Sequence, residues 1–176
     1  MQQTQDMSQA RTVVLALGSN LGERLDNLQG ALDGLFEAPG MELTGVSPVY
    51  ETVPVGGPPQ PNFLNAVVLA RTMLEGAAVL ERARGIEEAL HRLRDVRWGP
   101  RPIDVDIITL GQEYSAAPEL TLPHPRAHER AFVLRPWADV DPDAELLGHG
   151  RVGDLLDAVA DQEVLRRDDL PLRLPG

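Results

Sequence analysis

The apolar positions of this chain alternate between two periods. They lay out a strand, a helix, two strands, a helix and a strand before residue 110. Thr12 to Leu17 (TVVLAL) is a short apolar run that stops at Gly18-Ser19-Asn20-Leu21-Gly22, the length and flanks of a buried strand. Leu25, Leu28, Leu32, Leu35 and Phe36 then recur at helical spacing from about Arg24 to Ala38, and Pro39-Gly40 stops them. Glu42 to Thr52 reads as extended, with Pro48 marking an edge or a bulge because proline brings no donor to a ladder. Val53 to Pro61 (VPVGGPPQP) is a loop, since its prolines and paired glycines propagate neither helix nor central strand. Phe63 to Arg71 alternates, with Phe63, Asn65, Val67 and Leu69 on one face. Leu74 to Leu93 has the apolar stripe of a second helix, and Ile103 to Ile108 is the last strand.

That order is the ferredoxin-like βαββαβ pattern. It predicts an α+β fold in which an antiparallel sheet is backed by helices on one side. Further elements follow: a short paired strand near Glu113 to Ser115, a proline-broken loop from Leu120 to Arg130, a strand from Ala131 to Pro136 and a short helix beginning at Asp154 to Val159. No internal repeat and no domain-separating linker interrupts the chain. A single domain is expected over residues 12–165, with 1–11 and 166–176 as flexible or surface-lying termini.

Composition narrows the chemistry. Acidic residues outnumber basic ones 27 to 16, for a net charge of −11, which argues against a general nucleic-acid or anionic-membrane surface. All the basic residues are arginine, and the absence of lysine removes P-loop, protein-kinase and Schiff-base mechanisms together. The absence of cysteine excludes disulfides, thiolate nucleophiles and cysteine-ligated metals. No apolar run approaches the roughly 18 residues of a membrane span, and the polar leader lacks a signal-peptide core, so a soluble, cytoplasmic protein is expected.

Against this acidic background Arg97 to Ile108 (RWGPRPIDVDII) stands out. Alternation sends Ile103, Val105 and Ile107 to one strand face and Asp104, Asp106 and Ile108 to the other. Two such carboxylates lie about 6.5 to 7 Å apart at their Cα atoms, from a rise of about 3.3 Å per residue. They form either a solvated strand face or a cation site. Mg²⁺ prefers one or two carboxylates plus substrate phosphates, and two ions about 3.5 to 4 Å apart fit such a pair. Arg92, Arg94, Arg97 and Arg101, opposed only by Asp95, shift the balance towards a polyphosphate.

Other stretches carry weaker signals. Gly18 to Gly22 offers backbone N–H groups to an anion or is a structural turn, and alone it does not choose. Phe63 and Asn65 on one strand face beside a proline-glycine loop suit a flat heteroaromatic. A side-chain amide is disfavoured in a strand and needs partners when buried, and Phe132 is a candidate second stacking face. His124, His128 and Arg130 lack the third ligand that zinc needs; a histidine hydrogen-bonded to a nucleotide phosphate or base fits better, and on these residues alone a plain surface histidine fits better still.

Together GSNLG, YETVPVG with QPNFLN, RWGPRPIDVDII and LTLPHPRAHERAFVLRPWADVDP resemble the 6-hydroxymethyl-7,8-dihydropterin pyrophosphokinase family of folate biosynthesis. The resemblance runs from about Thr12 to Pro142. It implies a ferredoxin-like core and transfer of pyrophosphate from ATP to the pterin hydroxymethyl group, with release of AMP. By the same resemblance Asp104 and Asp106 hold two Mg²⁺ ions, and Arg92 and Arg101 bind phosphate on a catalytic loop that also carries Arg94 and Trp98. Thr52, Pro54, Val55, Phe63, Asn65 and Phe132 match the pterin pocket. Glu87, Ile107, Thr121, His124 and Arg130 match nucleotide contacts. His91 stands where glycine commonly precedes the arginine, and Pro125 replaces an aromatic of certain relatives.

Two other functions fit parts of the pattern. A metal-dependent nucleotidyltransferase also combines Gly-Ser with Asp-x-Asp, but sets them close in sequence, whereas residues 20 to 103 intervene here. An RNA-binding ferredoxin-like module uses sheet aromatics, yet the chain has only three Phe, two Tyr and two Trp at a net charge of −11. A monomer acting on ATP and the pterin, without nucleic-acid or membrane partners, is the expectation.

Overall fold

Val13 to Leu17 offers no polar side chain to solvent. In the computed structural model, which describes residues 9–54, 59–93 and 102–175, with the backbone alone for Arg92 and Leu93, it is the buried middle of a sheet. In chain order the elements are β1 (Arg11–Ser19), α1 (Arg24–Glu37), β2 (Met41–Val46), β3 (Tyr50–Thr52), β4 (Phe63–Thr72), α2 (Gly76–Leu93) and β5 (Asp104–Leu110). There follow β6 (Ser115–Ala117), β7 (Leu120–Leu122), α3 (Ala131–Val140), β8 (Glu145–Leu146), β9 (Gly150–Arg151), α4 (Val152–Ala158) and β10 (Val164–Arg166).

The main sheet runs β10-β3-β4-β1-β5, with β2 also on β4, and each neighbouring pair is antiparallel. This is the ferredoxin-like order expected from the sequence. The extended stretch from Glu42 to Thr52 is two strands that share one side of β4 in succession. Pro48 breaks them, and Ser47 bridges the gap: its N–H donates to the Val67 carbonyl and its Oγ accepts the Val67 N–H at 2.8 Å.

The two helices of the βαββαβ core back one face of the sheet, as expected, and helices from the later elements cover the other. Leu28, Leu32 and Leu35 of α1 and Val79, Ala83 and Ile86 of α2 pack on Leu15, Leu17, Leu64, Val68, Val105 and Ile107. On the opposite face Val133, Leu134 and Trp137 of α3 and Val152 of α4 pack on Val14, Ala16, Val67, Leu69 and Ile108. The second layer comes from the segment expected to be a strand at Ala131 to Pro136, which is instead the start of α3. Its β-branched and aromatic residues mimic a strand. The buried positions Val133, Leu134 and Trp137 nonetheless follow helical spacing, and tertiary packing decides.

The later elements also differ in detail. The strand expected at Glu113 to Ser115 is β6, paired with β7 inside the stretch read as loop, and residues Ala127–Glu129 form one 3-10 turn. Beyond Arg166 the tail is tied down: Gln29 donates to the Arg173 carbonyl and accepts its N–H, and Leu170 and Leu172 pack against the first core. Among the described residues no helix is long and apolar enough to cross a membrane.

Candidate active site

The register of the sheet builds the floor of a cavity. Gly18 of β1 lies between Asn65 of β4 and Asp104 of β5, and Ala16 lies between Val67 and Asp106. Two small residues at the centre, flanked by an amide and two carboxylates, leave a hollow of ≈ 440 Å³. Phe63, Thr52, Val53 and Pro54 wall one side; Arg126, Glu129, Arg130, Phe132 and Gln162 wall the other. The volume suits a small organic ligand. A larger open groove of ≈ 930 Å³ lies between α1 and α2 beneath Arg173 to Pro175, and none of the sequence-predicted site residues lines it.

On the aromatic side, Asn65 is only 4% exposed and its Nδ2 donates to Thr52 Oγ1 at 2.8 Å. That bond fixes the amide. A Cβ on Gly18 would come within 3.1 Å of Asn65 Oδ1 and 3.8 Å of Phe63, so the absence of a side chain there makes the space that Asn65 occupies. Phe132 stands in the first turn of α3 with the Arg130 guanidinium 5.5 Å from its ring centroid, a cation–π contact.

On the acidic side, Asp104 is exposed and Asp106 half-buried on the cavity face of β5, while Ile103, Val105 and Ile107 turn into the first core. His124 is held beside β5 by its N–H to the Ile108 carbonyl, and its Nδ1 accepts the Arg126 N–H at 3.2 Å. Burial pushes His124 below the ordinary imidazole range; the Asp106 carboxylate opposes this, and Arg130 and Arg126 add to it.

Glu87 reaches the outer edge of β5, where Oε2 accepts the Val105 N–H at 2.9 Å. Thr121 Oγ1 donates to the Ala117 carbonyl and closes the β6–β7 hairpin, which lies against β5. The structure thus gathers Thr52, Pro54, Phe63, Asn65, Asp104, Asp106, Arg130 and Phe132 around one cavity, and Glu87, Thr121 and His124 along the neighbouring strand edge. Ile107 lies between the groups, with its side chain turned away. Val55, Arg94, Trp98, Arg101 and the side chain of Arg92 lie outside the described residues.

The glycine-serine turn is a structural tie. Ser19 Oγ donates to the Pro102 carbonyl at 2.6 Å, Asn27 Nδ2 donates to Ser19 Oγ and to Pro102, and Asn20 Nδ2 donates to Gln60 Oε1 at 2.8 Å. Gly22 takes a positive φ of 63°. The turn therefore anchors the entrance of β5 and the base of the proline-glycine loop. His128 stacks on His149 with centroids 4.1 Å apart, and among the described residues no group of three His, Cys, Asp or Glu is placed to hold a metal.

Sequence reasoning missed Arg126, Glu129 and Gln162 as lining residues. Arg126 had a signal, as a cation two residues after His124 in LPHPR. Gln162 had none.

The pattern shared by the 7,8-dihydro-6-hydroxymethylpterin-pyrophosphokinase (HPPK) family matches residues 14–142. The 2-amino-4-hydroxy-6-hydroxymethyldihydropteridine pyrophosphokinase of Mycobacterium leprae (strain TN) is 46% identical over 171 residues, 91% of this chain and 87% of that one. The protein of the same name in Bacillus subtilis (strain 168) is 43% identical over 131 residues, 74% of this chain and 78% of that one. Wild-type Plasmodium falciparum HPPK-DHPS, solved with SDX-DHP, superimposes with a TM-score of 0.68 over 88% of this chain at 15% identity. This chain spans 46% of that longer protein, and the likeness is one of fold. The matched segment runs from within β1 through α3 and takes in the carboxylate strand and the cavity's lining residues other than Gln162, and with these identities it shows that the chain belongs to the HPPK family.

Proposed function

We propose that this chain transfers pyrophosphate from ATP to the hydroxymethyl group of 6-hydroxymethyl-7,8-dihydropterin in the cavity at the end of the sheet, giving AMP and the pterin diphosphate. The activity is the family's. The observation that carries the placement is Asn65, a buried amide fixed by Thr52 in a cavity lined by two phenylalanines. A pterin is flat, with an edge of alternating donors and acceptors, so it calls for faces to stack on and a side chain that both gives and takes hydrogen bonds. Among the described residues Asn65 Oδ1 takes no hydrogen bond, which leaves it to a ring N–H. Thr52 and Pro54 complete that wall, and Val55 joins them by the resemblance.

Asp104 and Asp106 are hard oxygen donors on one cavity face, a set that fits Mg²⁺ when phosphates supply the remaining ligands. Two ions are assigned to them. When bound, Mg²⁺ supplies neutralisation of the phosphate charge and acidification of a coordinated hydroxyl. Arg130 carries positive charge to the phosphates from the cavity wall, with Arg92 and Arg101 given the same task and Arg94 and Trp98 the loop beside it. His124, neutral and accepting a hydrogen bond at Nδ1, has its proton on Nε2 to donate. Val105 turns its N–H outward to Glu87, and further along the strand the Ile108 carbonyl accepts the His124 N–H. By the resemblance Glu87, Ile107 and Thr121 are assigned to the nucleotide.

In the reaction the hydroxymethyl oxygen forms a bond to the β-phosphorus of ATP. The bond from that phosphorus to the oxygen bridging it to the α-phosphorus breaks, that oxygen leaves with AMP, and the hydroxyl proton is released. Such a transfer asks for alignment and charge neutralisation more than for covalent help. Incubation with ATP, Mg²⁺ and the reduced pterin should yield AMP and the pterin diphosphate. ADP, or pyrophosphate released without transfer, would overturn the reading.

A further inference from the structure

The segment matched to the family ends at Pro142, yet one side chain lining the cavity comes from beyond it. Gln162 lies in the short connection between α4 and β10. Its Oε1 accepts the Ala131 N–H at 2.9 Å and its Nε2 donates to the Glu129 carbonyl at 2.7 Å. These peptide groups flank Arg130, the N-cap residue of α3, which makes no side-chain capping bond of its own. The Ala131 N–H is one of the first-turn donors that no helical carbonyl can satisfy, so a remote amide does the work usually given to a local serine or aspartate.

Two residues further on, Val164 enters β10 and pairs with Thr52 of β3. The run from residue 162 to 164 therefore grips both walls of the cavity at once. One hand holds the turn that projects Arg130 and Phe132, and the other holds the strand whose Thr52 fixes Asn65. Two bonds from one planar amide set the turn in rotation as well as in distance. We infer that Gln162 is a positioning residue for the pterin half of the site, fixing where Phe132 stands relative to Phe63 and Asn65. The inference rests on the reading that this cavity takes the pterin.

The test compares Gln162→Ala and Gln162→Met with the wild-type full chain. Dissociation constants for the pterin and for a non-hydrolysable ATP analogue are measured with Mg²⁺ present, alongside KM, kcat and the melting temperature. Methionine keeps the bulk and loses both hydrogen bonds, so it separates bonding from filling. Both variants should bind the pterin about 5- to 30-fold more weakly, the range expected for hydrogen bonds of this kind. The ATP analogue, whose phosphates are assigned to Arg130 of the same turn, should lose clearly less affinity than the pterin, and the loss should fall on the pterin KM rather than on kcat. Restoration of pterin affinity in Gln162→Met, an equal loss for both ligands, or unchanged affinity in both variants would each overturn the inference while leaving the proposed function in place. A wild-type chain that binds no pterin overturns both.

Discussion

Gly18 carries the closest steric demand in the cavity. Its φ is unremarkable; what matters is the space. A methyl group there meets Asn65 Oδ1 at 3.1 Å, so the amide must give way by a few tenths of an ångström or break from Thr52. Gly18→Ala is expected to weaken pterin binding about tenfold, roughly the value of one hydrogen bond, and to leave binding of an ATP analogue unchanged. Titration of each ligand checks this, and parallel losses would place Asn65 elsewhere in the mechanism. On the opposite side of Gly18, Asp104→Ala and Asp106→Ala should each abolish most turnover, since each would remove an oxygen ligand from the proposed shared Mg²⁺ site. Groups that act as a unit are non-additive, so the double variant should be little worse than the worse single one. Turnover across a Mg²⁺ titration decides it: near-wild-type rates at saturating metal would mean that the carboxylates are only a solvated strand face.

Among the elements, β3 is three residues long and owes its place to side chains from distant segments. Glu51 is gripped by Arg24 of α1 at 3.0 Å and by Arg167 just past β10, and Arg24 also donates to the Asn62 carbonyl at the end of the loop before β4. The hydrogen bond from Arg24 holds the Glu51 carboxyl below its ordinary range, burial opposes this, and Arg167 adds to it. A carboxyl depressed in the folded state contributes stability that is present above its unfolded value of about 4.3 and is lost as pH falls through the lower folded value. Glu51→Gln should therefore melt lower than wild type at pH 7, and the two should converge towards pH 3. Melting curves that stay parallel across that range would remove Glu51 from the acid response. Most elements could be read from their own residues: β1, α1, β4, α2 and β5 carry their periods in local sequence, and Asp104 and Asp106 stood out because alternation exposed them together. Asn65 was readable for a similar reason, as an amide among apolar neighbours. α3 was not, because its helix depends on a sheet face left open by α1 and α2. Gln162 was not, because its partners are main-chain atoms 31 and 33 residues away and no local pattern marks them.

At the scale of the whole molecule, one sheet separates two cores with different duties. The first, between the sheet and α1 with α2, holds Leu32 at 0% exposure and packs behind the face that carries the cavity. The second, between the sheet and α3 with α4, holds Leu134 at 0% exposure in the helix whose first turn presents Phe132 to the cavity. Cutting either leucine to alanine removes similar apolar volume from a fully buried place and should cost about 2 to 5 kcal/mol of stability. The consequences for ligand binding should differ. Protein interiors are close-packed and relax only partly around a cavity, so Leu134→Ala shifts α3 against the sheet and moves Phe132 with it. Leu32→Ala leaves the sheet between the damage and the site. Denaturant unfolding of both variants, with pterin affinity measured well below each midpoint, should give comparable stability losses but a weakened pterin complex only for Leu134→Ala. Unchanged affinity in Leu134→Ala would show that Gln162 and β10 hold the first turn of α3 in place without help from the core beneath it.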